Sequence, residues 1–245
     1  MRFALSRLLR HLPPTLLLLL CAFSPLHAAP RQAEVKQPAS SSAEVVVPAW
    51  PNPTCPVMGK PISSRLHTDT KYGRIYICCK SCVKDIQGDV DSYYKSSYPT
   101  TTKVENDTCP VTGRALAGEG APKEPVVVLL QGREFKVADK EAAAVAKDDA
   151  QATLAKLFDP KLVDVQNATC PVTGEAVAKN TIVVHDGRIV RLSSLRVLDE
   201  YKKDAAKSLG KALEIRARQD AAAREKEAAE RAKGEGGKDG GVKKP

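Results

Sequence analysis

The sequence lacks the devices of the common group-transfer enzymes. Its 245 residues contain no Ser/His/Asp constellation, no phosphate loop and no paired-carboxylate motif, so a non-enzymatic role is expected. Beyond the first 29 residues no segment is apolar enough to cross a membrane, which leaves a mature chain without a predicted span. Nor is there a basic face with interleaved aromatics, the usual footprint of a nucleic-acid platform. The net charge of +9 does not replace one. Three leader arginines carry +3, and from Tyr201 onward 13 Lys and Arg face 8 Asp and Glu, which leaves the middle near +1. Cysteine is scarce outside one short stretch: after Cys82 only Cys109 and Cys170 remain.

The first 29 residues read as a secretory leader. Arg2, Arg7 and Arg10 precede an apolar run, Leu16 to Phe23, and then Pro25-Leu26-His27-Ala28-Ala29. That order of basic, apolar and small residues marks a signal peptide. It predicts an exported protein, periplasmic or secreted. Cys21 raises a lipoprotein alternative, which Leu20 disfavours by occupying a position that needs a small residue. Residues 30–51, rich in Pro, Ala and Ser, read as a flexible lead-in, in which Val45-Val46-Val47 is a candidate edge strand.

One phrase then occurs three times: Asn52-Pro-Thr-Cys55-Pro-Val-Met-Gly59, Asn106-Asp-Thr-Cys109-Pro-Val-Thr-Gly113 and Asn167-Ala-Thr-Cys170-Pro-Val-Thr-Gly174. The offsets of 54 and 61 residues mark a repeated unit. After each turn come two short apolar runs around a glycine and then a helical pattern. Asp186-Gly187 between Thr181–His185 and Arg188–Leu192 is a strong hairpin signal. Val126–Leu130 and Glu134–Val137 flank Gln131-Gly132, and Arg65–Thr70 and Arg74–Cys78 flank the Tyr72-Gly73 region. Helices are predicted from about Lys80 to Tyr94, after Asp139 to before Pro160, and after Ser193-Ser194. The fold class is therefore α+β: three ββα repeats at 52–99, 104–160 and 165–215.

The third helix continues beyond its module. Leu195, Leu198, Tyr201, Ala205, Leu209 and Leu213 keep a helical stripe. Residues 216–233 form a charged helix and coiled-coil candidate, with Glu214–Arg218, Asp220–Arg224 and Glu227–Arg231 spaced for i,i+4 pairing. This helix is a possible contact surface for an envelope protein partner. The Gly-rich tail, 234–245, is expected to be disordered.

Only the first repeat carries metal-ligand spacing, C-x(22)-C-x(3)-C through Cys55, Cys78 and Cys82. Thiolates suit Zn(II) or Cu(I), and three sulfurs from two segments suit a zinc-ribbon-like knuckle pair. One such ion per chain is the expected cofactor. Cys79 is a further candidate, as ligand, resolving thiol or packed core residue. His67 is a weaker one. His185, Cys109 and Cys170 read as structural, with a Cys109–Cys170 disulfide as the alternative for the last two. Asn106-Asp-Thr and Asn167-Ala-Thr also fit a glycosylation pattern.

Cys55-Pro-Val-Met-Gly-Lys-Pro61 together with Tyr72-Gly-Arg-Ile-Tyr-Ile-Cys-Cys-Lys-Ser-Cys82 resembles the TRASH/YHS-type heavy-metal-binding domain. The resemblance covers about residues 52 to 98. It implies a treble-clef-like ββα fold, a role in metal sensing, trafficking or resistance, and ligation by Cys55, Cys78 and Cys82. Counting from the hairpin glycines places Val137 and Leu192 at the position of Cys78, and Glu141 and Arg196 at that of Cys82. The resemblance therefore does not extend metal binding to the second and third repeats. Two other readings stand beside it. One is a thiol redox protein using Cys79 and Cys82, and the other is an envelope scaffold whose metal is purely structural.

Overall fold

The computed structural model describes residues 44–235. The leader, most of the lead-in and most of the Gly-rich tail lie outside the described residues. Strands β1 (His67–Thr70) and β2 (Gly73–Tyr76) form an antiparallel hairpin, followed by helices α1 (Cys82–Gly88) and α2 (Val90–Ser97). Strand β3 (Thr102–Lys103) lies parallel to β5 (Arg133–Val137), which pairs antiparallel with β4 (Val126–Leu130). Helices α3 (Lys140–Asp148) and α4 (Ala150–Phe158) follow. The pattern returns with β6 (Val163–Asp164) parallel to β8 (Arg188–Arg191) and β7 (Ile182–His185) antiparallel to β8. After a single 3-10 turn, Leu195–Val197, come α5 (Leu198–Lys203) and α6 (Ala205–Glu235). The chain is α+β, with small sheets and six α-helices among the described residues.

The turns show why the hairpins form. Gln131-Gly132 and Asp186-Gly187 both place two successive residues at positive φ, +46 and +72 in the first and +49 and +66 in the second. That is the primed turn whose twist suits a two-residue hairpin loop. The first hairpin differs. Its loop is Lys71-Tyr72, and the positive φ (+85) falls one residue later, on Gly73. The three glycines are therefore not in step.

Each of the predicted single helices is in fact two. The breaks fall at Asp89, Asp149 and Asp204, with ψ of 73°, 56° and 69°. Such residues end one helix and begin the next. Asp89 accepts from the Ser92 N–H at 3.1 Å and Asp204 from the Lys207 N–H at 3.2 Å, as capping side chains do. The break redirects the chain so that residues three before and five after it both reach the core. These are Ile86 and Tyr94, Ala146 and Leu154, and Tyr201 and Leu209, all buried. In the third stripe Ala212 is buried while the expected Leu213 is exposed. Of the expected charge pairs Glu214–Arg218 is made, and Asp220 turns back to Arg216 at 3.0 Å rather than forward to Arg224.

The end of the lead-in packs against the fold. Val46 exchanges two backbone hydrogen bonds with Val184, extending the edge at β7. Trp50 is buried and stacks on Phe158 at 5.8 Å. Two apolar side chains gained too much by burial for this stretch to stay in solvent.

The first and second hairpins meet through a buried polar joint. The Gln131 N–H donates to the Tyr72 carbonyl, its amide donates to the Trp50 carbonyl, and its oxygen accepts from Gln151. These bonds hold a non-glycine residue at positive φ. A Cβ on Gly73, at φ +85, would stand 3.0 Å from the Gln131 side chain, so any other residue there is both strained and crowded. Arg74, beneath the joint, pairs with Asp69 at 3.0 Å and donates to the Asn180 carbonyl at 2.8 Å. No helix among the described residues is long and apolar enough to cross a membrane.

Candidate metal centre

Three elements place the sulfurs. Cys55 opens a tight knuckle in which its N–H donates to the Lys60 carbonyl and its carbonyl accepts from the Gly59 N–H. Cys78 follows β2, and Cys82 begins α1. The same knuckle recurs at Cys109 with Arg114 and Gly113, and at Cys170 with Glu175 and Gly174.

The asparagine that starts each phrase, which the sequence pattern marks at Asn106 and Asn167 only as a glycosylation candidate, recurs for a structural reason. It is a clamp between knuckle and hairpin. Asn52 accepts from the Tyr76 N–H at 2.7 Å and donates to the Tyr76 and Thr54 carbonyls at 3.0 and 2.8 Å. Asn106 does the same with Lys136 and Thr108, and Asn167 with Arg191 and Thr169. Each amide nitrogen is thus used twice, so a glycan on Asn106 or Asn167 would displace one of its two donor bonds.

Two independent rulers now agree on the equivalences. Tyr76, Lys136 and Arg191 each lie 13 residues before an aspartate break. Measured this way, Cys78 corresponds to Ala138 and Ser193, and Cys82 to Ala142 and Val197. The electrostatics agree: the backbone of Cys78, Ala138 and Ser193 is in each case among the groups that lower the pKa of the module's knuckle cysteine. Counting from the glycines gave Val137, Leu192, Glu141 and Arg196, one residue too early, because the first hairpin carries its glycine one position later. Either way the second and third modules have no partner thiols. Cys109 and Cys170 are free, buried and in separate clusters, not joined in a disulfide.

In the first module Cys55, Cys78 and Cys82 bring their sulfurs mutually within 4.8 Å. Cys55 and Cys82 are 3.7 Å apart, and Cys78 and Cys82 are 3.9 Å apart. A tetrahedral ion with thiolate bonds of about 2.3 Å sets its sulfurs about 3.8 Å apart. Two of the three separations are thus already those of a shared ion, the third, from Cys55 to Cys78, lies within 4.8 Å, and all are far too wide for a disulfide. Cys79 is the nearest further donor, 3.5 Å from Cys82 and 3.8 Å from Cys78.

The electrostatics favour a cation. Burial pushes the Cys55 thiol up, but hydrogen bonds from the backbone of Cys78, Met58 and Val57 outweigh it and lower its pKa. Burial, then the adjoining thiols, drive Cys82 up to about 12. Burial and its neighbours also raise Cys78. Cys79 is lowered to about 7 by the Ser81 hydroxyl and then by Cys82 and Cys78. Crowded thiols cannot all ionise together, and a cation relieves that repulsion while displacing their protons.

The two histidines stay outside the cluster. His67 packs edge-on against Tyr76 with its Nδ1 buried and unpartnered. The Nδ1 of His185 lies 3.2 Å from the Tyr201 hydroxyl in the third core, a structural contact. No protein-family model, no curated protein and no solved structure matches this chain.

Proposed function

We propose that this is an exported metal-binding protein whose first module holds one soft or borderline ion, Zn(II) or Cu(I), on Cys55, Cys78 and Cys82. The supporting observation is the meeting of these three sulfurs, from two separate segments, at metal-ligand spacing. The donors fit such an ion: all are thiols, Cys55 and Cys82 are buried, and the Asn52 clamp fixes the knuckle relative to β2. In this reading the module is a TRASH/YHS-type unit of treble-clef character. Cys79 is the candidate fourth donor, and the two cysteine-poor modules are degenerate copies that serve as scaffold. The role is binding or trafficking rather than catalysis. Periplasmic or secreted location rests on the leader. The exposed face of α6 over 221–231 is the surface proposed for an envelope partner, as a coiled coil.

Elemental analysis of protein purified without oxygen tests the reading. One ion per chain is expected, lost in Cys82→Ser because a hydroxyl is a poor soft-metal ligand, and kept in Cys109→Ser and Cys170→Ser. Equal loss in all three would overturn the single site. A second reading, thiol–disulfide chemistry, draws on the 3.5 Å separation of the Cys79 and Cys82 sulfurs. It is favoured if the anaerobic protein is metal-free and Cys79 and Cys82 interconvert with a disulfide.

A further inference from the structure

The metal reading leaves Cys79 as a candidate fourth donor, and the sulfur geometry gives it a more specific role. Cys78, Cys79 and Cys82 form a second three-sulfur face, with separations of 3.8, 3.5 and 3.9 Å. It shares the Cys78–Cys82 edge with the face completed by Cys55. The two faces differ in depth. Cys55 is 1% exposed, whereas Cys79 is half-buried and its sulfur lies 3.1 Å from the hydroxyl of the exposed Ser81.

We propose that the cluster is a two-position exchange site for a soft d10 cation, accepted on the outer face of Cys78, Cys79 and Cys82 and passed to the inner face by replacement of Cys79 with Cys55. The proposal rests on the metal reading and gives it a direction, from solvent to core. In the step the metal–sulfur bond to Cys55 forms as the bond to Cys79 breaks. The proton on Cys55 leaves and one is taken up by Cys79, so charge balances and the metal keeps its oxidation state. Cys78 and Cys82 hold the ion throughout, so it is never bare. A purely structural site is closed and has no use for an accessible sulfur on its ligand edge.

The test uses the full chain loaded with Cu(I) under anaerobic conditions and challenged with excess bathocuproine disulfonate, with release followed by stopped-flow absorbance. Cys79→Ser and Cys79→Ala should each still load one ion, on Cys55, Cys78 and Cys82, and release it about tenfold more slowly or worse. Cys55→Ser should hold its ion on the outer face and release it faster. Unchanged release in both Cys79 variants would overturn the exchange path, and loss of the ion in both would make Cys79 a permanent ligand and overturn it as well. Retention of the ion by Cys82→Ser, or no binding by the unsubstituted protein, would instead overturn the metal reading on which the proposal rests.

Discussion

Asn52 and Tyr76 are joined as two residues of paired strands would be: the Tyr76 N–H donates to the Asn52 side-chain oxygen at 2.7 Å, and the Asn52 amide donates back to the Tyr76 carbonyl at 3.0 Å. A side chain thereby does the work of a third strand in a module whose sheet has only two. It ties the segment carrying Cys55 to the strand that leads into Cys78.

Asn52→Ala should therefore be costly. It leaves two buried backbone groups unpaired, a loss of about 2–4 kcal/mol. Asn52 is 1% exposed, whereas the Asn106 clamp is open to water, which can replace its bonds, so Asn106→Ala should cost about 1 kcal/mol or less. Urea unfolding of the metal-free protein measures both. Equal losses would show that burial does not set the clamp's worth.

Gly132 and Gly187 occupy the same position of similar turns, at φ +72 and +66. An added Cβ meets nothing at Gly187, but at Gly132 it stands 3.0 Å from the Tyr98 ring. Gly187→Ala should lose about 1 kcal/mol, the cost of a left-handed backbone. Gly132→Ala should lose roughly 1–3 kcal/mol more, from overpacking. Thermal melts of the two variants check the ordering, and a reversal would place Tyr98 elsewhere.

Stability should fall with acid through His67. Burial first, and then the Arg74 guanidinium, lower its pKa from 6.5 to about 4, with Asp69 opposing. The ring faces Arg74, Asp69 and the Tyr76 ring. Because the folded value lies below the unfolded one, the contribution is fully present above pH 6.5 and is lost as pH falls toward 4. Allowing for partial exposure it amounts to about 1–2 kcal/mol. The difference in unfolding free energy between the unsubstituted protein and His67→Phe, followed from pH 7.5 to 4, should show that slope. A flat difference would exclude the assignment.

Metal removal should act locally. The first core is small, built from Cys55, Ile75, Ile77, Cys82, Ile86, Tyr94 and Tyr98, so bound metal adds directly to its folding energy. On chelation, hydrogen exchange should quicken at 55–60 and along α1. It should change little in β4, β5, α3 and α4, whose core contains none of the three ligands. Uniform loosening would mean one cooperative, metal-dependent fold.

Some of this was legible in the residues. The Asp186-Gly187 and Gln131-Gly132 turns follow from backbone sterics that act within two residues. The N-cap at Asp139, which accepts from the Ala142 N–H at 2.8 Å, is similarly local. The triad Cys55, Cys78 and Cys82 follows from spacing around a hairpin. The helix breaks were harder to see, because each aspartate sits inside an unbroken apolar pattern. Only the need to bury residues on both sides, such as Ile86 and Tyr94, makes the bend favourable.

The knuckles, the hairpins and the module that holds neighbouring thiols follow from the residues alone, since they depend on φ preferences, hydrogen-bonding side chains and ligand type over short separations. That Trp50 joins the core around β4, β5, α3 and α4, that Gln131 seals the first hairpin to the second, and that the equivalents of Cys78 are Ala138 and Ser193 emerge from the assembled fold. These depend on contacts between residues tens of positions apart. Their energy comes from burial and from satisfying buried polar groups, and neither exists until the segments have met.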